Sequence, residues 1–327
     1  MRSKDKSCLP KASGAGGSVT ITRDLDKRIV EILNSPFGGA AKAAKGKEKK
    51  RAKRTARKGS WNEARQLHRR LMFRLKKYGS SEAEKVLLRI LKDCKRSRLC
   101  GSAACPRCTY KAQGVMAALI TEQRSYGIKM ESCLTIIPLL RIEATDDVEQ
   151  DLVAAKGKVE RFRRQLDEAF EESEISTVIG AVDFTCNEYP GGEHGEHSKP
   201  HLHALVFGNQ LKSGEKILRS KFPRKGSVHK PVDIRAYDGC AAWPRYIFKY
   251  PEKRGIRKKG ENGNWKDVSY KALKVQQQMR QALLLHEMGW EGRLYLRGVD
   301  LIRGAHGWQL VLSDLMPQVR IRGGKRN

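Results

Sequence analysis

Acidic residues are scarce in this chain. Asp and Glu number 36 against 66 Lys and Arg over 327 residues, a formal net charge of +30. Few soluble enzymes of small metabolites need such an excess, and it points to a polyanionic partner, with nucleic acid ahead of an anionic membrane. Long apolar runs are missing as well. None approaches the ~20 residues of a spanning helix, and the opening MRSKDKSCLPKASGAGGS lacks the apolar stretch of a secretory signal. The expected location is the cytoplasm, without membrane attachment. Thiols stay reduced there, so the eight cysteines call for an explanation other than disulfides. A P-loop is also absent: the Gly-Lys pairs ending at Lys47, Lys158 and Lys325 are followed by Glu48, Val159 and Arg326. No built-in NTP-driven motor is expected. What the chain does have is a 39% hydrophobic fraction, enough for a real core.

Four segments are anticipated. Residues 1–59 read as a disordered basic arm. Its stretch 38–59 carries ten Lys or Arg and only Glu48 as an acid, a composition suited to phosphate contacts and unable to fold alone. Residues 19–34 within it have the pattern of a short strand or helix. Residues 60–127 read as helical. Leu67, Leu71 and Leu75 mark one helix, with His68 placed on its surface among basic residues, and Val86, Leu87, Ile90 and Leu91 mark a second behind a Ser cap. Residues 128–255 mix apolar strands with long helical connections, the pattern of an α+β sheet domain. Residues 256–327 begin in a basic, Gly-rich loop (254–267) and continue as a C-terminal helix and strands.

Three clusters carry chemistry. In CKRSRLCGSAACPRC, Cys94, Cys100, Cys105 and Cys108 crowd together, and the CPRC knuckle fits half of a tetrahedral structural Zn²⁺ site. Such a site would staple the helices of 61–93 to the sheet domain. Cys8, Cys133, Cys186 and Cys240 read as ordinary residues. In HSKPHLHALVFG, His201 and His203 are two apart in a strand and so share a face. Asp183, in the preceding strand GAVDFTC, ranks first as third ligand, ahead of Glu188, His194 and His197 from the loop. Two imidazoles and a carboxylate with open positions suit Mg²⁺ or Mn²⁺. In RYIFKYPEKR, Tyr246 and Tyr250 are four apart, on one face if helical. Lys249 and Lys253 each follow a tyrosine by three residues. A tyrosine hydroxyl, with a pKa of about 10, becomes a usable nucleophile when an ammonium stabilises the phenolate. Pro251 would end or kink that helix by clashing with the Ile247 carbonyl.

Taken together, ESCLTIIP, PHLHALVF and YIFKYPEK resemble, in order and spacing, the three motifs of the HUH superfamily of single-strand DNA endonucleases. The two-tyrosine form resembles the rolling-circle replication initiators of bacterial plasmids and small phages. The resemblance covers about residues 128–255. It implies an HUH core, a central antiparallel sheet flanked by helices, with His201, His203 and Asp183 on the metal. It implies a DNA nickase in which Tyr250 cuts first at an origin and becomes linked to the 5′ end, Tyr246 acts second, and Lys249 and Lys253 assist. The freed 3′-OH would prime a host polymerase, and strand separation would fall to a host helicase. A rolling-circle transposase or relaxase shares this chemistry. A non-enzymatic zinc-dependent DNA-binding regulator would explain the charge and cysteines alone.

Overall fold

The computed structural model describes residues 25–35, 60–125, 130–145, 147–189, 196–207, 210–225, 228, 230–239, 242–259, 265–304 and 307–312. The basic stretch 38–59, Cys8, His194 and Cys240 lie outside them. The chain is α+β, with eight helices among the described residues and a curled, mixed eight-stranded sheet.

The N-terminal third is helical: α1 (Leu25–Asn34), α2 (Trp61–Tyr78), α3 (Glu82–Lys92) and α4 (Pro106–Ser125). Local chemistry starts two of them. Ser60 and Glu63 form a capping box on α2, and Ser81 and Glu84 form another on α3, so orphan N–H groups of both first turns are satisfied by side chains. The α2 stripe runs Ala64, His68, Leu71, Leu75. His68 is 2% exposed, so its surface placement is corrected. The buried arc is centred between 68 and 71, and Leu67 lies at its edge, half-buried.

The sheet follows as β1 (Met130–Ile136), β2 (Ile142–Glu143), β3 (Val178–Glu188), β4 (His197–Phe207), β5 (Val232–Ala236), β6 (Lys253–Lys259), β7 (Trp265–Ala272) and β8 (Leu294–Arg297). Helix α5 (Val148–Glu172) joins β2 to β3, and α6 (Gln210–Lys221) follows β4. The main path is β5-β1-β4-β3-β6-β7, with β2 on β4 and β8 on β3. The expectation of an antiparallel sheet is corrected at one pair: β3 and β6 run parallel, Cys186 opposite Arg254. The cause is the crossover. The chain leaves β5 at one edge and re-enters as β6 beyond β3, so the connecting α7 (Ala242–Ile247) passes over β4.

Two other expectations change. Residues 254–267 are not a loop throughout: β6 pairs antiparallel with β7 from Lys253↔Ala272 to Lys259↔Trp265. The boundary at 255 falls within β6, and the C-terminal elements continue the same sheet, β8 pairing with β3 from Val178↔Arg297 to Ala181↔Leu294. A separate hairpin closes the described chain, β9 (Val299–Gly304) with β10 (Gly307–Leu312). Helix α8 (Val275–Arg293) supplies Met279, Leu283, Leu285 and Trp290 to one continuous core with Leu71, Leu87, Met116, Phe162, Leu202 and Leu205. The helical third and the sheet thus share their apolar interior.

Candidate metal centres and the turn between them

Strand register builds the first centre. In β4, His201 stands opposite Asp183 of β3, and His203 stands between Ala181 of β3 and Thr135 of β1. Period-two geometry puts His201, His203, Asp183 and Thr135 on one face, while Leu202 and Val182 point to the other. All three candidate ligands are buried, Asp183 completely. Their ligand atoms lie within 4.8 Å of one another, and Asp183 Oδ2 is 4.0 Å from His201 Nε2.

The imidazole tautomers follow from their partners. Lys249 Nζ stands 3.4 Å from His203 Nε2 as a donor, so the His203 ring proton sits on Nδ1 and goes to Thr135 Oγ1 at 3.0 Å. His201 Nδ1 lies 3.4 Å from the Lys199 carbonyl, which can only accept. The His201 Nε2 lone pair is therefore left toward Asp183, while that of His203 receives Lys249, which a bound cation would displace; both rings are held through Nδ1–H, as metal-ligating histidines are. Burial pushes the His201 pKa down to about 4, with Lys249 adding to the effect against the pull of Asp183. Burial, His201 and Lys249 hold His203 well below its usual value. Both rings are neutral at neutral pH, as ligands must be.

Asp183 tests whether a cation fits. Its Oδ1 accepts from the Phe184 N–H at 2.9 Å, but its buried Oδ2 accepts no hydrogen bond among the described residues. The cation nearest to that oxygen is the Lys249 ammonium, 3.4 Å away. A buried carboxylate oxygen within 4.8 Å of two imidazole nitrogens suits a divalent cation. The other residues weighed for the third ligand are elsewhere. Glu188 pairs with Arg254 at 3.1 Å and Lys274 at 2.8 Å, and His197 stacks on Tyr189.

The turn after α7 completes this centre and separates the two tyrosines. Tyr246 stacks on Trp243 with centroids 5.1 Å apart and meets His203 edge-on at 4.8 Å. Its hydroxyl accepts from Lys249 Nζ at 2.9 Å. Burial opposes charge on Lys249, yet Asp183 and Tyr246 outweigh it and raise the pKa, so the ammonium persists. Tyr250 is placed differently. Helix α7 stops at Ile247, before the turn that would bring Tyr250 onto the Tyr246 face. Tyr250 is instead 9% exposed in the core. Burial there raises its pKa, with the Cys105 side adding and Arg293 and Arg74 opposing. The shared face expected for the tyrosines is thus corrected. Lys253 opens β6 and is exposed.

The second centre is the cysteine cluster. Sγ separations are 3.5 Å for Cys94–Cys105, 3.6 Å for Cys100–Cys108 and 3.8 Å for Cys94–Cys108. A tetrahedron of Zn–S bonds of about 2.3 Å has edges of about 3.8 Å. All four thiols are free of disulfides, and the cluster is one that can hold a metal such as zinc. Gly101 makes the loop possible: at φ 79° it adopts a left-handed conformation, and a Cβ there would stand 2.3 Å from Val30 Cγ2 of α1. His68 Nδ1 lies 3.4 Å from Cys105 Sγ, an outer-shell partner hidden by its basic sequence neighbours. We expect about one zinc per chain on elemental analysis. Cys105→Ser should lower that content sharply, and unchanged content would exclude the cluster as ligand set.

Arg293 links the two centres, and no local motif marks it. Helix α8 breaks at Gly289, φ 62°. Beyond the break, Trp290 Nε1 donates to the Gly101 carbonyl at 2.6 Å. The fully buried Arg293 guanidinium donates to the Ala103 carbonyl at 3.3 Å and Thr109 Oγ1 at 3.2 Å on the cysteine side. It also donates to the Phe248 carbonyl at 3.5 Å and to the Lys249 carbonyl on the metal side. Gln113 of α4 also holds the Phe248 carbonyl, at 3.0 Å. The backbone that aims Lys249 and Tyr246 is therefore fastened to the cysteine loop. No helix among the described residues is long and apolar enough to cross a membrane. Comparison with protein-family models, with curated proteins and with solved structures found no match for this chain.

Proposed function

We propose that this protein is a metal-dependent single-strand DNA endonuclease and strand transferase of the HUH type, acting as a rolling-circle replication initiator. The observation that carries the reading is the Tyr246 hydroxyl, held by Lys249, beside the buried Asp183–His201–His203 set. Those three residues would hold Mg²⁺ or Mn²⁺, which when bound supplies Lewis-acid polarisation of a phosphate oxygen. The chain's own residues do the rest. Thr135 and the Lys199 carbonyl fix the imidazole rings. Trp243 supports the Tyr246 ring from one face. Lys249 stabilises the phenolate as the Tyr246 proton leaves.

The Tyr246 oxygen attacks phosphorus, a new P–O bond to tyrosine forms, and the bond to the 3′ oxygen breaks. That oxygen takes up a proton and becomes a free 3′-OH, while the 5′ end stays on the protein. The 3′-OH would prime a host polymerase, with strand opening left to a host helicase or supercoiling. Tyr250, buried on the cysteine side, takes no part in the first cut.

The test is incubation of the full chain with Mn²⁺ and a labelled single-stranded oligonucleotide pool, followed by SDS electrophoresis and mass spectrometry of the trapped peptide. We expect a denaturation-resistant adduct on Tyr246, absent in Tyr246→Phe and kept by Tyr250→Phe. Retardation without any adduct would favour a non-enzymatic DNA-binding regulator, and an adduct on Tyr250 would overturn the assignment of the nucleophile.

A further inference from the structure

Helix α2 carries a surface that the nickase reading does not use. Taken at about 100° per residue with Phe73 as origin, its exposed arc has a definite order. Asn62, Phe73 and Gln66 form the crest. Arg69, Lys76 and Arg65 lie on one flank, and Lys77 and Arg70 lie on the other. All eight are exposed, Phe73 at 60%, and the buried arc of Ala64, His68, Leu71 and Leu75 is opposite.

The charge on this surface is not neutralised locally. None of its five cations has an acidic partner among the described residues. The single acid of α2, Glu63, is committed to the capping box. Neighbouring α3 shows the usual solvated arrangement, with Glu82 pairing with Arg89 at 2.9 Å and with Lys85 at 3.9 Å. The chain just before α2 is itself basic and offers no compensation. A large aromatic ring, 60% exposed, stands between two rows of cations, with Lys77 Nζ 5.8 Å from its centroid.

We propose that α2 is a recognition helix for duplex DNA. The chemistry fits a major groove feature by feature. The groove is about 12 Å wide and admits an α-helix. The crest holds the side-chain types that read base edges there: Asn and Gln for adenine, and an apolar ring for the thymine methyl. The flanks place cations toward both bounding phosphate strands, where they fix register without reading sequence. Arg65 to Lys77 spans about 18 Å at 1.5 Å per residue, comparable to half a turn of the duplex. The rear of the helix is fixed by the core and, through His68, by the cysteine cluster, so the reading surface is rigid. A single strand would not present two phosphate rows to a straight helix, which is why the partner is a duplex. The proposal does not depend on nuclease activity.

The test uses the full chain and two probes, a randomised 30-base-pair duplex pool for selection and the selected duplex for titration against salt. Arg65→Gln/Arg69→Gln/Lys76→Gln should weaken binding to every duplex by about 10²-fold at physiological salt and shallow the log–log salt slope by about three units. Asn62→Ala/Gln66→Ala/Phe73→Ala should keep the slope and lose the sequence preference. Circular dichroism and zinc content should stay unchanged in both, since every substituted side chain is exposed. Covalent capture of single-stranded oligonucleotide should persist in both. A duplex affinity and slope unchanged in the triple glutamine variant would overturn the proposal. So would a selected preference that survives loss of the crest.

Discussion

Asp183→Asn is expected to abolish nicking while leaving DNA binding near normal. Of all ligand changes it disturbs packing least, because the amide has nearly the carboxylate's shape and its oxygen can still accept from the Phe184 N–H at the Oδ1 position, 2.9 Å in the native chain. What is lost is the charge facing the two imidazoles and the Lys249 ammonium 3.4 Å away. A bound cation contributes several kcal/mol to the transition state, and at about 1.4 kcal/mol per tenfold this is at least ~10² in rate. His201→Ala and His203→Ala should match it in rate, but each also empties a buried volume in the sheet and should lower stability by a few kcal/mol. The asparagine variant therefore separates charge from packing, and Mn²⁺ binding then tells the metal role from loss of the Lys249 ion pair. Mn²⁺ binding by isothermal titration should weaken in parallel, and tight Mn²⁺ binding with normal cleavage in Asp183→Asn would refute the site.

A pH consequence accompanies this. A cation competes with protons for both imidazoles. Burial holds His201 near a pKa of about 4, and His203 is also well below its ordinary value. The neutral, ligating forms thus persist as pH falls, until it approaches the folded-state pKa values. Mn²⁺ affinity should change little between pH 7.5 and about 5.5, where two ordinary histidines with pKa near 6.5 would lose roughly 10²-fold.

The parts of the site that the sequence made legible are those governed by strand period and cysteine spacing. His201 and His203 had to share a face once the segment was a strand, and Asp183 stood in the strand that pairs with it. Cys105 and Cys108 formed a knuckle on local geometry alone. Less was legible where tertiary structure decides. Tyr246 and Tyr250 look equivalent at a spacing of four, but equivalence required α7 to continue, and it ends at Ile247. Pro251 gave a physical hint of that end, since a proline at that point clashes one turn back; it carried no information on where Tyr250 would point. The basic run after Lys253 looked like a loop because it lacks apolar alternation. Yet backbone pairing with β3 and within the hairpin makes it strand, since an outer hairpin need not bury a side-chain face. Lys249, between two tyrosines in the sequence, touches Asp183, His203 and Tyr246 together, a convergence that only the crossover over β4 creates.

Arg293→Met should be among the most damaging single changes in the chain, and for a reason invisible in its sequence context. The methionine fills much of the volume, but the Lys249 carbonyl loses the donor that the fully buried guanidinium gives it, while the Ala103 carbonyl keeps only Thr109 Oγ1 and the Phe248 carbonyl keeps only Gln113. Each orphaned buried acceptor costs about 1–3 kcal/mol, partly offset because the cost of burying a charge disappears. A net loss of about 2 kcal/mol corresponds to a fall in melting temperature of roughly 4–8 °C for a domain of this size. Lysine should not rescue it, since three donors on one nitrogen cannot reach acceptors on two sides as a planar fork does. The same bond set predicts a coupling. Stripping zinc with a chelator loosens the Ala103–Thr109 side of the fork, and with it the turn that holds Lys249 against Tyr246. The metal-stripped protein should thus lose nicking even with Mn²⁺ in excess and should recover on adding zinc. Arg293→Met protein should nick poorly while still holding zinc. Full activity in chelator-treated protein, or an unchanged melting temperature in Arg293→Met, would show that the two centres are mechanically independent.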